Sequence, residues 1–213
     1  MQDRTKSRLR LAAFSIVGLV VVLVLSVFGL ASAMRHQFGR APPPAHFTPP
    51  TTRAEANRQD LTYLRQLPQY DRSFSPQAKI AFSRALDGAI AQAGALDKAG
   101  LQMAVARAVA LADNGHTNAQ GVGEGRDLQV LPIRLVPFSD GLHVVMATAA
   151  NADLLGARVV SENRQTVAEL RQALRPYEGG SDDRFEEKLP NFLQSPQALH
   201  AAGLGAAATQ AAF

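Results

Sequence analysis

The longest apolar stretch of the chain runs from Leu11 to Ala33, and none of its residues is charged. A helix of this length can span a bilayer. Basic residues are denser before the stretch than after it, so the positive-inside bias predicts that residues 1–10 lie in the cytoplasm. They are Arg4, Lys6, Arg8 and Arg10 before it, and Arg35 and Arg40 after it. We therefore expect a cytoplasmic basic head and a transmembrane anchor over residues 1–34, with the rest of the chain outside the cytoplasm.

A cleaved signal peptide is the alternative for this segment. Ala31-Ser32-Ala33 satisfies the small-residue pattern of a signal-peptidase site. The apolar core is longer than the roughly 7 to 15 residues usual in signal peptides, which favours an uncleaved anchor.

Residues 35–52 are rich in proline and poor in apolar side chains. Pro42-Pro43-Pro44 and Pro49-Pro50 predict a stiff, extended spacer between the anchor and the folded part of the chain.

Helical periodicity dominates residues 53–120, which predicts a helical segment. A short helix is expected over Glu55 to Gln66, and a second opens with Ser75-Pro76, an N-cap followed by proline at the first helical position. This second helix should stop near Gly94, and a third should run from Asp97 to Asp113. The side chains that the second helix is expected to bury are Ile80, Leu86, Ala89, Ile90 and Ala93.

A period of two replaces the helical period in residues 121–204. Strands are predicted over Leu131 to Val136, Leu142 to Thr148 and Arg158 to Ser161, with a turn at Asp140-Gly141. Thr166 and Glu169 form a capping box on a helix that carries Leu170 and Leu174. The fold class predicted for the whole chain is therefore α+β.

His116 is the best candidate for chemistry. Asn114-Gly115 directly before it are expected to supply the left-handed residues that end the third helix, which fixes the position of the histidine. Two roles fit this place. The ring can cap the helix by meeting its last carbonyls, or it can act as a general base.

Five motifs occur in order along the chain: Ala112 to Thr117 (ADNGHT), Leu131 to Arg134 (LPIR), Phe138 to Leu142 (FSDGL), Leu154 to Val159 (LLGARV) and Leu189 to Leu193 (LPNFL). Together they resemble the N-terminal half of a bacterial tail-specific serine peptidase, the family of the tricorn core and the carboxyl-terminal-processing proteases. The resemblance covers residues 53–203 and implies a helical segment followed by a PDZ-like region over residues 121–204.

The resemblance implies a catalytic role for His116, because the histidine of this segment in tricorn-type members is the general base for a serine much later in the chain. Gly115 stands where that type has a serine beside the histidine, so that form of the tetrad does not carry over. In the processing-protease branch a Ser-Lys pair does the work. The chain ends before the place of the family's catalytic serine, and residues 205–213 are expected to be a truncated tail. We therefore expect no proteolytic activity from this chain alone.

Location and partners also follow from the resemblance. It implies a single-pass protein of the bacterial inner membrane whose main part lies in the periplasm, where it binds unfolded protein or peptide C-termini in the proteolysis of envelope proteins. The lipid bilayer is the partner of Leu11 to Ala33. Two other functions stay open, namely a self-sufficient PDZ-like module that binds peptides by strand addition, and a structural envelope protein.

Composition excludes several other classes of site. Residues 1–40 hold six of the 22 basic residues and one of the 18 acidic ones, so the remainder has a net charge near zero and predicts no nucleic-acid partner. The absence of cysteine excludes a thiolate nucleophile and a cysteine zinc site. No histidine pair has the i, i+4 spacing of helical zinc ligands, and the glycines at 121–125 precede no helix that could cradle phosphate. We therefore predict neither a metal nor a cofactor.

The remaining polar candidates have structural explanations. Ser75 and Ser195 each precede a proline at a helix start, where capping explains them. Ser139 falls in the predicted hairpin turn, His143 on a strand and His200 on the last helix.

Overall fold

The computed structural model describes residues 2–38, 42–119 and 128–205, with side chains over 17–35, 42–119 and 128–205. The predicted glycine loop at 121–125 and the tail beyond 205 lie outside these ranges. The chain divides into two compact units, Met1–Pro44 and Ala45–Phe213.

The first unit is built on one helix, α1 (Gln2–Phe38). Within it, Val17–Arg35 has a mean hydropathy of 2.6 and buries none of its side chains inside the protein. Leu19 and Phe28 are both 71% exposed. By length and composition this helix can cross a membrane, and a signal sequence meets the same criterion.

The second unit begins with four helices, three of which start at capping residues. They are α2 (Arg53–Leu64), α3 (Leu67–Tyr70), α4 (Pro76–Ala91) and α5 (Lys98–Val109). The Ser75 hydroxyl accepts a hydrogen bond from the Ala78 amide and caps α4, which confirms the predicted start of that helix. Asp97 caps α5 in the same way through the Gly100 amide.

One hydrophobic cluster, which we call the helical core, joins α2, α4 and the end of α5. Its buried members are Leu61, Phe74, Phe82, Leu86, Ala89, Ala108 and Ala112. The prediction that α4 buries Ile80 is wrong, because this side chain is 55% exposed. At 3.6 residues per turn, Ile80 lies roughly opposite the stripe that carries Phe82, Leu86 and Ala89.

The α+β prediction is confirmed by two small antiparallel sheets that follow the helices. The first sheet has the order β1-β2-β3, formed by β1 (Ile133–Phe138), β2 (Gly141–Ala147) and β3 (Arg158–Val159). The second is a hairpin of β4 (Ser161–Glu162) and β5 (Gln165–Thr166). The single strand predicted over Arg158 to Ser161 is therefore wrong, since the chain changes sheets at Val160.

A β-bulge interrupts the alternation of the first sheet. Arg134 pairs with Met146 while Leu135 pairs with Val144, so Val145 is an extra residue in β2. Leu142 and Val144 point inward and are buried, but Val145 and Met146 are both exposed. The bulge places apolar side chains on the outer face of the sheet.

Three helices pack against the inner face of the sheet. They are α6 (Val167–Leu174), α7 (Asp182–Leu193) and α8 (Pro196–Ala201). The predicted capping box at Thr166 and Glu169 is present, and Ser195 caps α8 as expected. The apolar side chains of these helices meet those of the sheet in a second cluster, the sheet core, which includes Leu135, Leu142, Val144, Leu170, Leu174, Phe185, Leu189 and Leu199.

Helix α5 belongs to both clusters. Ala99, Met103 and Ala106 pack in the sheet core, whereas Ala108 lies in the helical core. Small side chains on both faces let neighbouring elements approach this helix from two sides. The two cores are therefore continuous through α5.

Glu162 is a buried carboxyl group next to a tight turn. Asn163 and Arg164 both have positive φ, 51° and 68°, as a two-residue type I′ hairpin requires. The Glu162 side chain is fully buried, and neither carboxyl oxygen has a hydrogen-bond partner within the described part of the chain. Burial raises the pKa of Glu162 from its ordinary value of 4.5 to about 8.

We predict that the free energy of unfolding falls as pH rises from about 4.5 to about 8, because the unfolded chain ionises Glu162 more readily than the folded one. The slope due to this residue is at most about 1.4 kcal/mol per pH unit. Glu162→Gln should remove this slope and raise stability at pH 8. Urea unfolding of the full chain in nanodiscs, monitored by tyrosine fluorescence, measures the free energy of unfolding at each pH.

The exposed Glu187→Gln is the matched control and should leave the slope unchanged. Parallel pH profiles for the wild type and Glu162→Gln would contradict the assignment.

Candidate functional site

His116 lies on a short loop after α5. The helix ends in a 3₁₀ turn at Ala110–Ala112, and Asp113 adopts the left-handed conformation with φ 49° and ψ 46°. The prediction that Asn114-Gly115 supply the left-handed residues is therefore wrong. The tighter 3₁₀ turn moves the helix end earlier, and aspartate is among the residues that tolerate this conformation.

A polar network holds the loop against the turn that precedes α4. The Asn114 amide nitrogen donates to the Ser73 hydroxyl at 2.6 Å, and the Asn114 amide oxygen accepts from the His116 backbone at 3.1 Å. The Thr117 hydroxyl donates to the Asp71 carboxylate at 2.5 Å. Asp71 also accepts from the Ser73 backbone at 2.8 Å. Asn114 and Thr117, on either side of His116, are thus tied to the turn before α4.

The Asp71 carboxylate is the charged member of this network. Partial burial acts to raise its pKa, but the hydrogen bonds from Thr117 and Ser73 outweigh burial and hold the pKa below its ordinary value. Asp71 is therefore ionised at neutral pH, and its contribution to stability is lost only as pH falls through the lowered pKa.

A second contact, which we call the glycine clamp, holds the loop from the other side. A Cβ on Gly180 would lie 2.7 Å from the Gly115 nitrogen, and one on Gly179 would lie 2.8 Å from the Ala110 carbonyl oxygen. The Gly180 amide donates to the Asp113 carboxylate at 3.1 Å. Only glycine permits this approach, and Gly180 also has φ 90°.

Arg175 fixes the clamp segment. Its guanidinium donates to the Glu178 carbonyl at 2.5 Å, to the Gly180 carbonyl at 2.6 Å and to the Asp182 carboxylate at 3.1 Å. Three bonds from one planar group set the path of the chain into α7. The sequence signal for this contact is the Gly179-Gly180 pair directly before Ser181, the N-cap of α7.

The His116 ring itself is exposed and forms no hydrogen bond to any described residue. It does not meet the last carbonyls of α5 in the described structure, so the capping role has no support there. The nearby hydroxyls of Ser73 and Thr117 are engaged in the polar network. The ring is available to an incoming group, but no nucleophile among the described residues is hydrogen-bonded to it.

The other histidines do not join His116. His200 lies on α8 with its ring near the Gly205 carbonyl, and His143 lies on β2. The described residues contain no group of three histidine, aspartate or glutamate side chains that could hold a metal ion.

A second candidate site, which we call the sheet groove, lies on the outer face of the first sheet. Its volume is about 470 Å³, within the range of small-ligand pockets. Phe138 and Leu155 are 55% and 59% exposed, and Val145 faces outward because it alternates with the buried Leu142 and Val144. The lining residues are Phe138, Asp140, His143, Val144, Val145, Leu155 and Gly156.

Polar groups stand at one end of the sheet groove. The His143 ring contacts Phe138 edge to face with centroids 5.5 Å apart, and its Nε2 bonds to the Asp140 carboxylate at 3.1 Å. Arg158 pairs with His143 across the strands, which puts both side chains on the outer face. The exposed Arg158 guanidinium donates to the Asp140 carbonyl at 3.2 Å. Sequence reasoning missed this groove because its lining comes from β1, β2 and the segment before β3, and contacts between separate segments leave no short pattern in the sequence.

Comparison with protein-family models, with curated proteins and with solved structures finds no match to this chain.

We predict that Gly180→Ala destabilises the second unit much more than Gly156→Ala. Both glycines have positive φ, 90° and 83°, but a Cβ on Gly156 meets nothing within 4 Å. Gly156→Ala should cost about 1 to 2 kcal/mol for the conformation alone, and Gly180→Ala about 1 to 3 kcal/mol more for the backbone clash. Urea unfolding of the two variants measures the difference.

Equal losses of stability in the two variants would show that the close approach at Gly180 is not needed for the fold. A histidine NMR signal for His116 that moves in Gly180→Ala alone would link the clamp to the position of the ring.

Proposed function

We propose that this chain is a membrane-anchored peptide-binding protein that takes apolar C-terminal peptides on the outer face of its first sheet. The observation that carries the proposal is the sheet groove, where exposed Phe138, Val145 and Leu155 stand beside an arginine and an edge strand. Exposed apolar side chains that converge on one concave surface are typical of interaction sites. This is also the role that the predicted PDZ-like region would have.

The edge strand offers a place for the peptide backbone. β3 is paired only with β2 in the described sheet, so one side of β3 faces away from the ladder. An extended peptide can add to such an edge through backbone hydrogen bonds, while alternate side chains enter pockets beside it. Leu155 and Gly156, which line the groove, lie shortly before β3 in the chain.

Arg158 supplies a group for the terminal carboxylate. Among the described residues its guanidinium bonds one backbone carbonyl, so further donors remain to meet a carboxylate. The neighbouring Asp140 disfavours an acidic side chain deeper in the groove. The preferred ligand therefore has an apolar last residue and a free C-terminal carboxylate.

The peptidase function adds a role for His116. The ring is exposed and its loop is held on two sides, as a general base that serves a catalytic serine from elsewhere requires. We propose this as the second function, a substrate-presenting part of a tail-specific-type serine peptidase. His116→Ala should then abolish proteolysis once a serine domain is supplied, without changing peptide binding.

The apolar helix α1 supports the location. Its exposed side chains need a nonaqueous environment, and the basic residues on its N-terminal side favour a cytoplasmic head. We propose a single pass through the bacterial inner membrane with Ala45–Phe213 in the periplasm.

We predict that a fluorescent peptide with an apolar last residue binds saturably to the sheet groove of the full chain in nanodiscs. Leu155→Ser should weaken binding about tenfold, since it removes exposed apolar contact area in the groove. Val130→Ser, which is exposed but does not line the groove, should have no effect. Fluorescence anisotropy measures both.

Amidation of the peptide C-terminus should weaken wild-type binding about tenfold through loss of one charge-assisted contact. In Arg158→Gln the carboxylate and the amide should bind equally. Absence of saturable binding, or equal binding of both peptides to the wild type, would contradict the proposal.

For the topology, a reporter that is active only in the periplasm should be active when fused after Thr52. Activity of a cytoplasm-specific reporter at that point would reverse the orientation. A mature N-terminus at Met34 would replace the anchor by a cleaved signal peptide.

A further inference from the structure

A cleft separate from both candidate sites runs between α4 and α5. Its volume is about 500 Å³. The α4 residues that line it span positions 84 to 92, which corresponds to a length of about 12 Å along the helix. The full lining is Arg84, Ala85, Gly88, Ala89, Gln92, Leu96, Gly100, Met103, Ala104, Arg107, Tyr177 and Ala201.

The floor of the cleft is open because its side chains are small. Gly88 and Ala85 come from α4, and Gly100 and Ala104 from α5. A Cβ on Gly88 would meet nothing within 4 Å, so space continues down to the helix backbone. Met103 makes an apolar wall along this space.

Two arginines line the cleft. Arg84 and Arg107 are both exposed, and Arg107 lies over the Tyr177 ring with its guanidinium carbon 6.0 Å from the ring centroid. No carboxylate lines the cleft in the described residues, and neither arginine forms an ion pair with a described residue. Arg107 also borders a neighbouring pocket whose lining includes Asp113 and Glu178, but it forms no ion pair with either of these described residues, so its charge can meet an external anion.

The cleft suits an alkyl chain better than an extended peptide. The walls are helices whose backbone N–H and C=O groups already bond within the helix. An extended peptide backbone buried there would leave its own polar groups without partners, at considerable cost in free energy. An alkyl chain has no such groups and gains from leaving water.

We propose that this cleft binds a single-chain amphipathic carboxylate, with the alkyl chain along Gly88 and Met103 and the carboxylate between Arg84 and Arg107. The two guanidiniums give charge-assisted bonds to the head group, and the length of the cleft suits one extended chain. The site is independent of the sheet groove and of His116, so it stands whether or not the chain binds peptides.

Photolabelling tests the proposal. The full chain in zwitterionic nanodiscs is exposed to a dodecanoate analogue that carries a diazirine in its alkyl chain, and the labelled peptides are mapped by mass spectrometry. We expect saturable labelling within residues 84–107, displaced by dodecanoate and at least about tenfold less well by dodecanol, which lacks the charge.

A Cβ on Gly88 meets nothing within 4 Å, so Gly88→Leu places a side chain in the cleft and should lower the labelling at least about fivefold. Ser83→Leu, on the opposite, exposed face of the same helix, should not change it. Arg84→Gln with Arg107→Gln should raise the half-saturating concentration about tenfold, and the exposed Arg58→Gln should not. Labelling confined to α1, equal displacement by dodecanol, or unchanged labelling in Gly88→Leu would overturn the proposal.

Discussion

The fold of the second unit depends on the approach of two backbone segments at the glycine clamp. Gly179 and Gly180 lie so close to the turn after α5 that a Cβ at either position would fall within 3 Å of a backbone atom. The Gly180 amide and the Asp113 carboxylate join the segments, and Arg175 holds the path of the chain on the far side. Through this contact the loop before α7 sits directly on the end of α5, and the loop that carries His116 is fixed from both sides.

Helix α5 extends the same constraint through the core. Its alanines pack in the helical core on one side and in the sheet core on the other, so neither cluster is complete without it. The small side chains that allow two-sided packing also leave the open cleft against α4. The small side chains of α5 therefore explain both the close packing at one part of the helix and the unfilled space at another.

Local signals in the sequence predicted much of the fold. Ser75-Pro76, Thr166 with Glu169, and Ser195 mark helix starts that the structure has, because a cap depends on residues only a few positions apart. The errors are nonlocal. Ile80 has the right residue type but lies on the outer face of α4, and the bulge at Val145 shifts the faces of β2.

The sequence predicted only part of the candidate site, because the rest depends on contacts between distant segments. The position of His116 behind a helix end follows from neighbouring residues, whereas its polar network needs Asp71 and Ser73, about 45 positions earlier in the chain. The sheet groove needs the pairing of β1 with β2 and the return of the chain at Leu155. Contacts between distant segments leave no short pattern in a single sequence.

Hydrogen exchange of the full chain in nanodiscs tests most directly whether the glycine clamp joins the two cores into one cooperative unit. The slowest amides of α4 and of α7 should open with the same free energy, within about 0.5 kcal/mol, because neither core can unfold without disturbing α5 and the clamp. If the amides of one core open at a free energy lower by about 2 kcal/mol or more, the two cores unfold separately and the clamp does not have the role assigned to it.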